Sequence, residues 1–409
     1  MTTVDSHTTA SYLELEYQYS AHNYHPLPVV LSRGQGVYVW DVDGKKYYDF
    51  LSGYSALNQG HCHPKIIASL IQQSQKLTLT SRAFHNDQFA EYARFITEYF
   101  GYDKVLPVNT GVEAVETAIK LARRWGYEKK GIAENQARIV AFENNFHGRT
   151  STVISFSSDP DSFTGFGPFM PGFDLIPYND LDALSKALQN KDVAAILIEP
   201  IQGEAGVVVP DEGYLSTAYE YCKQMNVLFI GDEIQTGLGR TGKMLACDHE
   251  NVRPDILILG KALSGGVIPV SAVLADDEIM LTIRPGEHGS TYGGNPLACA
   301  VAVAALTVLK EEKMTENAAV MGNYFREGLQ SINSPFVETI RGKGLLNAVV
   351  IRQTNAAAAW DLCMELKENG LLAKPTHGNK IRFAPPLTIN QAQMDECLEI
   401  IEDSLATLK

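Results

Sequence analysis

Between about residues 55 and 300, short apolar runs end in polar or glycine-rich corners and give way to helical periodicity, again and again. The runs at 138–142, 194–198, 227–230 and 256–259 are aliphatic and rich in β-branched residues. A strand with one wet face would alternate apolar and polar residues. Uninterrupted runs suit strands buried on both faces of a mostly parallel sheet. Alternation with helices then gives the α/β class, with a large sheet domain expected over 55–300. In such sheets functional side chains collect just past the carboxyl ends of the strands.

The rest of the chain reads differently. Residues 1–54 form a Tyr-rich N-terminal segment broken by Pro26 and Pro28. Within it, apolar residues 37–40, the pair Asp43-Gly44 and residues 46–48 have the pattern of a hairpin around a tight turn. After residue 300 longer helical stretches take over, at 298–312 and 358–369, with a strand-like run at 345–351. A smaller α+β domain over 301–409 is expected, and 409 residues suit two or three domains of about 150 each.

Charge and cysteine usage narrow the function classes. Thirty-four basic residues against 48 acidic ones give a net charge of −14, which argues against nucleic acid as a partner. Hydrophobic content of 45% excludes disorder as the main state. Six cysteines lie scattered with no C-x-x-C pair, so neither a zinc ribbon, a redox dithiol nor a disulfide scaffold is indicated. The first 32 residues hold no Lys or Arg, unlike a secretory or mitochondrial leader, and a cytoplasmic location is expected. The longest apolar stretch, 298–309, is too short to span a bilayer and reads as a buried helix with Pro296 in its first turn, so no membrane partner is expected.

Three strand ends carry candidate chemistry. The run 256–259 leads into Gly260-Lys261. Lys261 is either a solvated residue closing a strand or, if desolvated at the floor of a cleft, a nucleophilic amine. The run 227–230 leads into Gly231-Asp232. Asp232 is either a helix cap or a carboxylate that holds a protonated pyridine nitrogen. Asn109-Thr110-Gly111-Val112-Glu113 has capping-box spacing ahead of a helix, and the free N–H groups of that first turn form a site for an anion. Two other strings are read as structural. Gly237-Leu238-Gly239-Arg240-Thr241-Gly242-Lys243 matches a dinucleotide motif, but it does not follow a strand directly, and Met244 stands where a P-loop needs Ser or Thr. His61-Cys62-His63 puts neighbours side by side, which is poor geometry for one tetrahedral metal, and no metal is expected.

Taken together, Asp232-Glu233-Ile234-Gln235-Thr236-Gly237-Leu238-Gly239-Arg240-Thr241-Gly242, Pro254-Asp255 and Gly260-Lys261-Ala262-Leu263-Ser264-Gly265-Gly266 resemble the class III aminotransferases. The resemblance runs from about Tyr24 to Arg382. It implies a fold-type I enzyme using pyridoxal 5′-phosphate (PLP), with Lys261 as the Schiff-base lysine and proton shuttle. It implies Asp232 at the pyridinium nitrogen, Gln235 near the phenolic oxygen, Phe146 stacked on the ring, and the N–H groups of Gly111 and Val112 on the phosphate. Ser290 and Thr291 would reach the phosphate of a neighbouring subunit, which implies a homodimer with shared sites. Within the family, the match is to members that move the δ-amino group of ornithine to 2-oxoglutarate. The alternative is another ω-amino acid donor, such as N-acetylornithine, 4-aminobutyrate or lysine. Tyr24 and Tyr54 match the ornithine pocket, and members acting on N-acetylornithine usually lack a tyrosine at the position of Tyr54. Arg149 would bind the carboxylate far from the reacting carbon. Arg382 would bind the α-carboxylate of glutamate or 2-oxoglutarate, with Glu204 as its partner.

Overall fold

The computed structural model describes residues 8–352 and 357–408. A seven-stranded sheet carries the middle of the chain. Its strands are β1 (Lys104–Val108), β2 (Arg138–Phe142), β3 (Phe173–Ile176), β4 (Val193–Ile198), β5 (Leu228–Asp232), β6 (Ile256–Leu259) and β7 (Ser271–Ala275). They lie in the order β1-β7-β6-β5-β4-β2-β3. All neighbours are parallel except β7, which runs antiparallel to both β1 and β6. Because β7 reverses direction between them, β1 and β6 point the same way, and six strands end at one edge.

Burial explains the apolar runs. All six residues of β4 and all four of β6 are buried. Leu197, Ile230 and Ile258 face one way and pack with Val115, Ala118 and Ala122 of the helix Gly111–Trp125. Ile196, Ile198 and Phe229 face the other way and pack with Leu215, Ala218 and Cys222 of the helix Tyr214–Gln224. A strand caught between two helical layers has no wet face, so the mostly parallel α/β architecture is as expected.

Two smaller sheets flank this one. The first holds β8 (Val337–Lys343), β9 (Leu346–Ile351), β10 (Lys374–Thr376) and β11 (Lys380–Phe383), antiparallel in the order β8-β9-β11-β10. The second contains the expected hairpin, Tyr38–Asp41 paired with Lys46–Asp49. Leu371–Leu372 joins the hairpin in parallel, so a C-terminal strand completes an N-terminal sheet. Pro296–Glu311 is the buried helix, with Pro296 in its first turn. No helix among the described residues is long and apolar enough to cross a membrane.

The two strings read as structural take up packing roles. Gly239 and Gly242 lie against Thr315 and Ala319 of the helix Met314–Ile332, where a Cβ would come within 2.8 and 2.9 Å. Between them, buried Arg240 donates to Asn58 Oδ1 at 2.6 Å and to Leu345 O at 3.0 Å. His61 bonds Asp49 at 2.7 Å and His63 bonds Glu312 at 3.2 Å, so the two imidazoles serve different carboxylates. One local feature carries strain. Ser52, Gly53, Tyr54 and Ser55 have φ of +50°, +55°, +59° and +70°, a full turn of left-handed backbone. Each non-glycine residue there costs about 1 kcal/mol.

Candidate active site

The carboxyl ends of β4, β5 and β6, together with the loops after β1 and β2, surround a cavity of about 240 Å³. Its walls include Gly111, Val112, Phe146, Glu199, Asp232, Gln235 and Lys261. Asp232 is the last residue of β5, and Lys261 follows β6 after Gly260. Residues 29 apart in sequence therefore face one space because their strands are parallel neighbours.

Lys261 sits in the left-handed region at φ +46°. It pairs with no described carboxylate. Burial, reinforced by the Arg382 charge, lowers its pKa to about 8 against the pull of Glu204, Asp232 and Glu199. A lysine so placed supplies a neutral amine near neutral pH. Buried Asp232 accepts a hydrogen bond from the Ile234 N–H at 3.1 Å and contacts His147 Nδ1 at 2.7 Å. Burial opposes a charge on His147. The hydrogen bond to Asp232 and the Asp232 charge outweigh it, so its pKa is raised.

Across the cavity, Thr110 caps the helix Gly111–Trp125 and Glu113 reaches back to the Thr110 and Asn109 N–H groups. The capping box leaves the N–H groups of Gly111 and Val112 without acceptors among the described residues. With the helix dipole they form the expected anion site. Two glycines keep this corner open. A Cβ on Gly111 would come within 2.9 Å of Ile234, and one on Gly148 within 2.5 Å of Val112. Gly148 also holds φ +126°, so the loop bearing Phe146 folds over the helix N-terminus only with glycine there.

Arg382, at 1% exposure, reaches the cavity through Gln235, which lines it. Its Nη1 donates to Gln235 Oε1 at 2.6 Å and Glu204 Oε1 at 3.3 Å, and its Nη2 to Ser55 Oγ at 2.8 Å. Gln235 Nε2 donates to the same Glu204 oxygen at 3.3 Å. The Tyr54 ring lies between the two cations, 5.6 Å from Lys261 Nζ and 5.8 Å from the Arg382 guanidinium. Tyr24 and Arg149 are near enough to act on the Tyr54 hydroxyl electrostatically, and Arg149 lies 5.6 Å from the Phe146 ring centre.

The aminotransferase class-III family model matches residues 19–405. The rat mitochondrial ornithine aminotransferase is 62% identical over 96% of this chain and 89% of its own. Among solved structures, the ornithine aminotransferase of Toxoplasma gondii, with PLP at partial occupancy in its active site, superimposes with a TM-score of 0.96. It is 51% identical and covers 98% of this chain and 94% of its own. The acetylornithine aminotransferase of Elizabethkingia anophelis is 56% identical with a TM-score of 0.91, covering 98% and 100%.

The chain is a class-III aminotransferase.

The residues fit the cofactor of this family. An amine, a buried carboxylate opposite it, an aromatic wall and a helix N-terminus match the aldehyde, ring nitrogen, ring face and phosphate of PLP. The two glycines leave the space that a Cβ would fill. Of the residues expected at this aminotransferase site, Ser290 and Thr291 stand apart. Ser290 Oγ accepts from Asn109 Nδ2 at 3.2 Å within its own chain, while Thr291 is exposed, and neither lines the cavity.

Two site residues escaped the sequence reading. Glu199 directly follows β4, and its carboxylate accepts the N–H groups of Phe146 at 2.8 Å and Gly203 at 3.2 Å. Burial raises its pKa to about 7, partly offset by His147. The same strand-end signal that marked Asp232 and Lys261 was present at Glu199. His147 follows Phe146 in the loop after β2, but nothing in its sequence position points to Asp232.

Proposed function

We propose that this aminotransferase moves the δ-amino group of L-ornithine to 2-oxoglutarate, giving L-glutamate 5-semialdehyde and L-glutamate. The observation that carries the reading is the Glu204–Arg382 contact beside Lys261. Ornithine must present its terminal amine, so its carboxylate belongs far from the reacting carbon. 2-Oxoglutarate reacts next to a carboxylate, so that group belongs close. A bare arginine near the lysine would capture the ornithine carboxylate and select the wrong amine. Glu204 masks Arg382 for the first substrate and withdraws for the second. The relatives named for ornithine at high identity support the same donor.

When bound, PLP supplies an electron sink for the pair left when a C–H bond at the reacting carbon breaks. The chain's residues do the rest. Lys261 Nζ takes the proton from that carbon and returns it elsewhere. Asp232 holds a proton on the ring nitrogen, and His147 fixes the Asp232 carboxylate. Phe146 would cover one ring face, Gln235 would stand beside the phenolic oxygen, and the Gly111 and Val112 N–H groups would hold the phosphate. Arg149 receives the distant carboxylate, while Tyr24 and Tyr54 line the approach.

The working unit in this proposal is a homodimer, in which Thr291 and Ser290 complete the partner's phosphate site. Exposed Thr291 supports this, as do exposed Phe84, Phe166 and Tyr292. A cytoplasmic location is part of the proposal, and six cysteines of which none is paired support its reducing character. The deciding experiment compares kcat/KM for ornithine and N-acetylornithine. Ornithine is expected to be preferred, and preference for the acetylated donor would overturn the assignment. Purified protein is expected to be yellow, and Lys261→Ala to remove that absorbance.

A further inference from the structure

Arg382 shares one face of the C-terminal sheet with Arg341 and Lys380, and the register places Lys343 and Lys374 on that face too. Arg341 on β8 stands opposite Ala348 on β9, and Ala348 stands opposite Arg382 on β11. Residues directly opposite one another in antiparallel strands project to the same side. Lys380 lies two residues before Arg382 on β11 and so projects with it. Packing agrees: Ala348 on this face meets Ile201 and Val207, while Val349 and Ile381 face the helical core. The loop carrying Glu204 lies across this face. Thr376 Oγ1 donates to Glu204 O at 2.6 Å, Arg341 Nε donates to Gly206 O at 2.8 Å, and a Cβ on Gly206 would strike Lys380 Cδ at 2.3 Å.

Arg382, Arg341 and Lys380 differ in what neutralises them. Arg382 has Glu204. Arg341 and Lys380 have only carbonyl oxygens, those of Gly206, Ala205 and His377, and neither pairs with a described carboxylate. Both are half-buried and border a cleft of about 380 Å³. Phe146 lines this cleft and the catalytic cavity alike, so the two are neighbours divided by one ring and the Glu204 loop. The one carboxylate on the cleft wall, Asp159, is engaged with the Asp161 N–H and the Ser162 hydroxyl. Two cations against one carboxylate leave this cleft net positive in a chain of net charge −14.

We propose that Arg341 and Lys380, placed by the sheet register on the same face as Arg382, form an outer binding site for small dicarboxylates beside the catalytic cavity. The proposal rests on 2-oxoglutarate being the acceptor. That substrate carries two negative charges, whereas ornithine carries a net positive one. A cationic vestibule therefore serves one half-reaction and not the other. Electrostatic steering of this kind raises association rates by about 10- to 1,000-fold, and half-buried charges are screened less than exposed ones.

The test measures the two half-reactions separately in the holoenzyme, with Lys380→Gln and Lys380→Glu. For 2-oxoglutarate, kcat/KM is expected to fall about threefold in Lys380→Gln and about tenfold or more in Lys380→Glu. Values for ornithine are expected to stay within twofold, which also shows that the variants fold. Added salt is expected to lower the 2-oxoglutarate value in the wild type more than in Lys380→Gln. Glutarate, an unreactive dicarboxylate, is expected to inhibit Lys380→Glu more weakly than wild type. An unchanged kcat/KM for 2-oxoglutarate, or equal losses for both substrates, would overturn the vestibule. A wild type inert toward 2-oxoglutarate would instead overturn the acceptor assignment, and an unchanged glutarate inhibition constant would then overturn the vestibule on its own.

Discussion

Replacing Glu204 with alanine unmasks Arg382 while leaving Lys261 and Asp232 in place. Removing one partner of a fully buried ion pair costs about 3–5 kcal/mol. The cost here is smaller, because Glu204 is 18% exposed, its contact is 3.3 Å, and Arg382 keeps Gln235 and Ser55. About 2 kcal/mol is a reasonable share, and any carboxylate that reaches the bare guanidinium recovers it. At 1.4 kcal/mol per factor of ten, ornithine's preference for presenting its α-amine should rise about 30-fold. The assay uses ornithine labelled with ¹⁵N at the δ position and measures ¹⁵N in the glutamate formed. Wild type is expected to transfer the label and Glu204→Ala to transfer mostly unlabelled nitrogen or a mixture. The glutamate half-reaction should be unimpaired, because there the mask must be removed anyway. An unchanged label fraction would refute the masking role, even if total activity fell.

Three further outcomes follow from the geometry. The Lys261 amine titrates at about 8, so PLP uptake by cofactor-free protein should quicken about tenfold per pH unit below 8 and level off above it; stopped-flow absorbance that still climbs tenfold per unit beyond pH 9 would remove the claimed depression. Gly148→Ala forces a Cβ to within 2.5 Å of Val112 at φ +126°, and should lower stability by about 1–3 kcal/mol and weaken PLP affinity, read by thermal melting and by cofactor titration. In the proposed dimer Thr291 donates to the phosphate across the interface, so Thr291→Ala would remove a hydrogen bond to a charged group worth about 1.5–3 kcal/mol and should weaken PLP binding at least tenfold, with the dimer intact by sedimentation; unchanged affinity would show that no partner threonine reaches the phosphate.

Legibility in the sequence followed the physics of each element. Strands buried on both faces leave unbroken apolar runs, so β2, β4, β5 and β6 were visible, and with them Asp232 and Lys261 at their ends. The Thr110–Glu113 box was visible because capping is local. β1 was not, since Pro107 sits inside it; only the position of β1 at the sheet edge lets a residue without an N–H belong to a strand. The partnership of Arg382 with Glu204, Gln235 and Ser55 joins four distant segments, and no spacing rule reaches that far. Only the Glu204 pairing was named, from family resemblance; the contacts to Gln235 and Ser55 come from the structure. The cationic row shared by β8 and β11 depends on sheet register, which alternation alone does not determine across separate strands.

The left-handed turn at 52–55 bears on protein engineering. Glycine at Tyr54 or Ser55 would relax backbone strain of about 1 kcal/mol, but the added chain freedom and the lost contact would cost about as much or more. Each would discard a group that the turn holds in place: the ring between Lys261 and Arg382, or the hydroxyl on the Arg382 guanidinium. The strained backbone of this turn is thus held by the contacts its side chains make beside Arg382, and redesign of the turn has to keep both together.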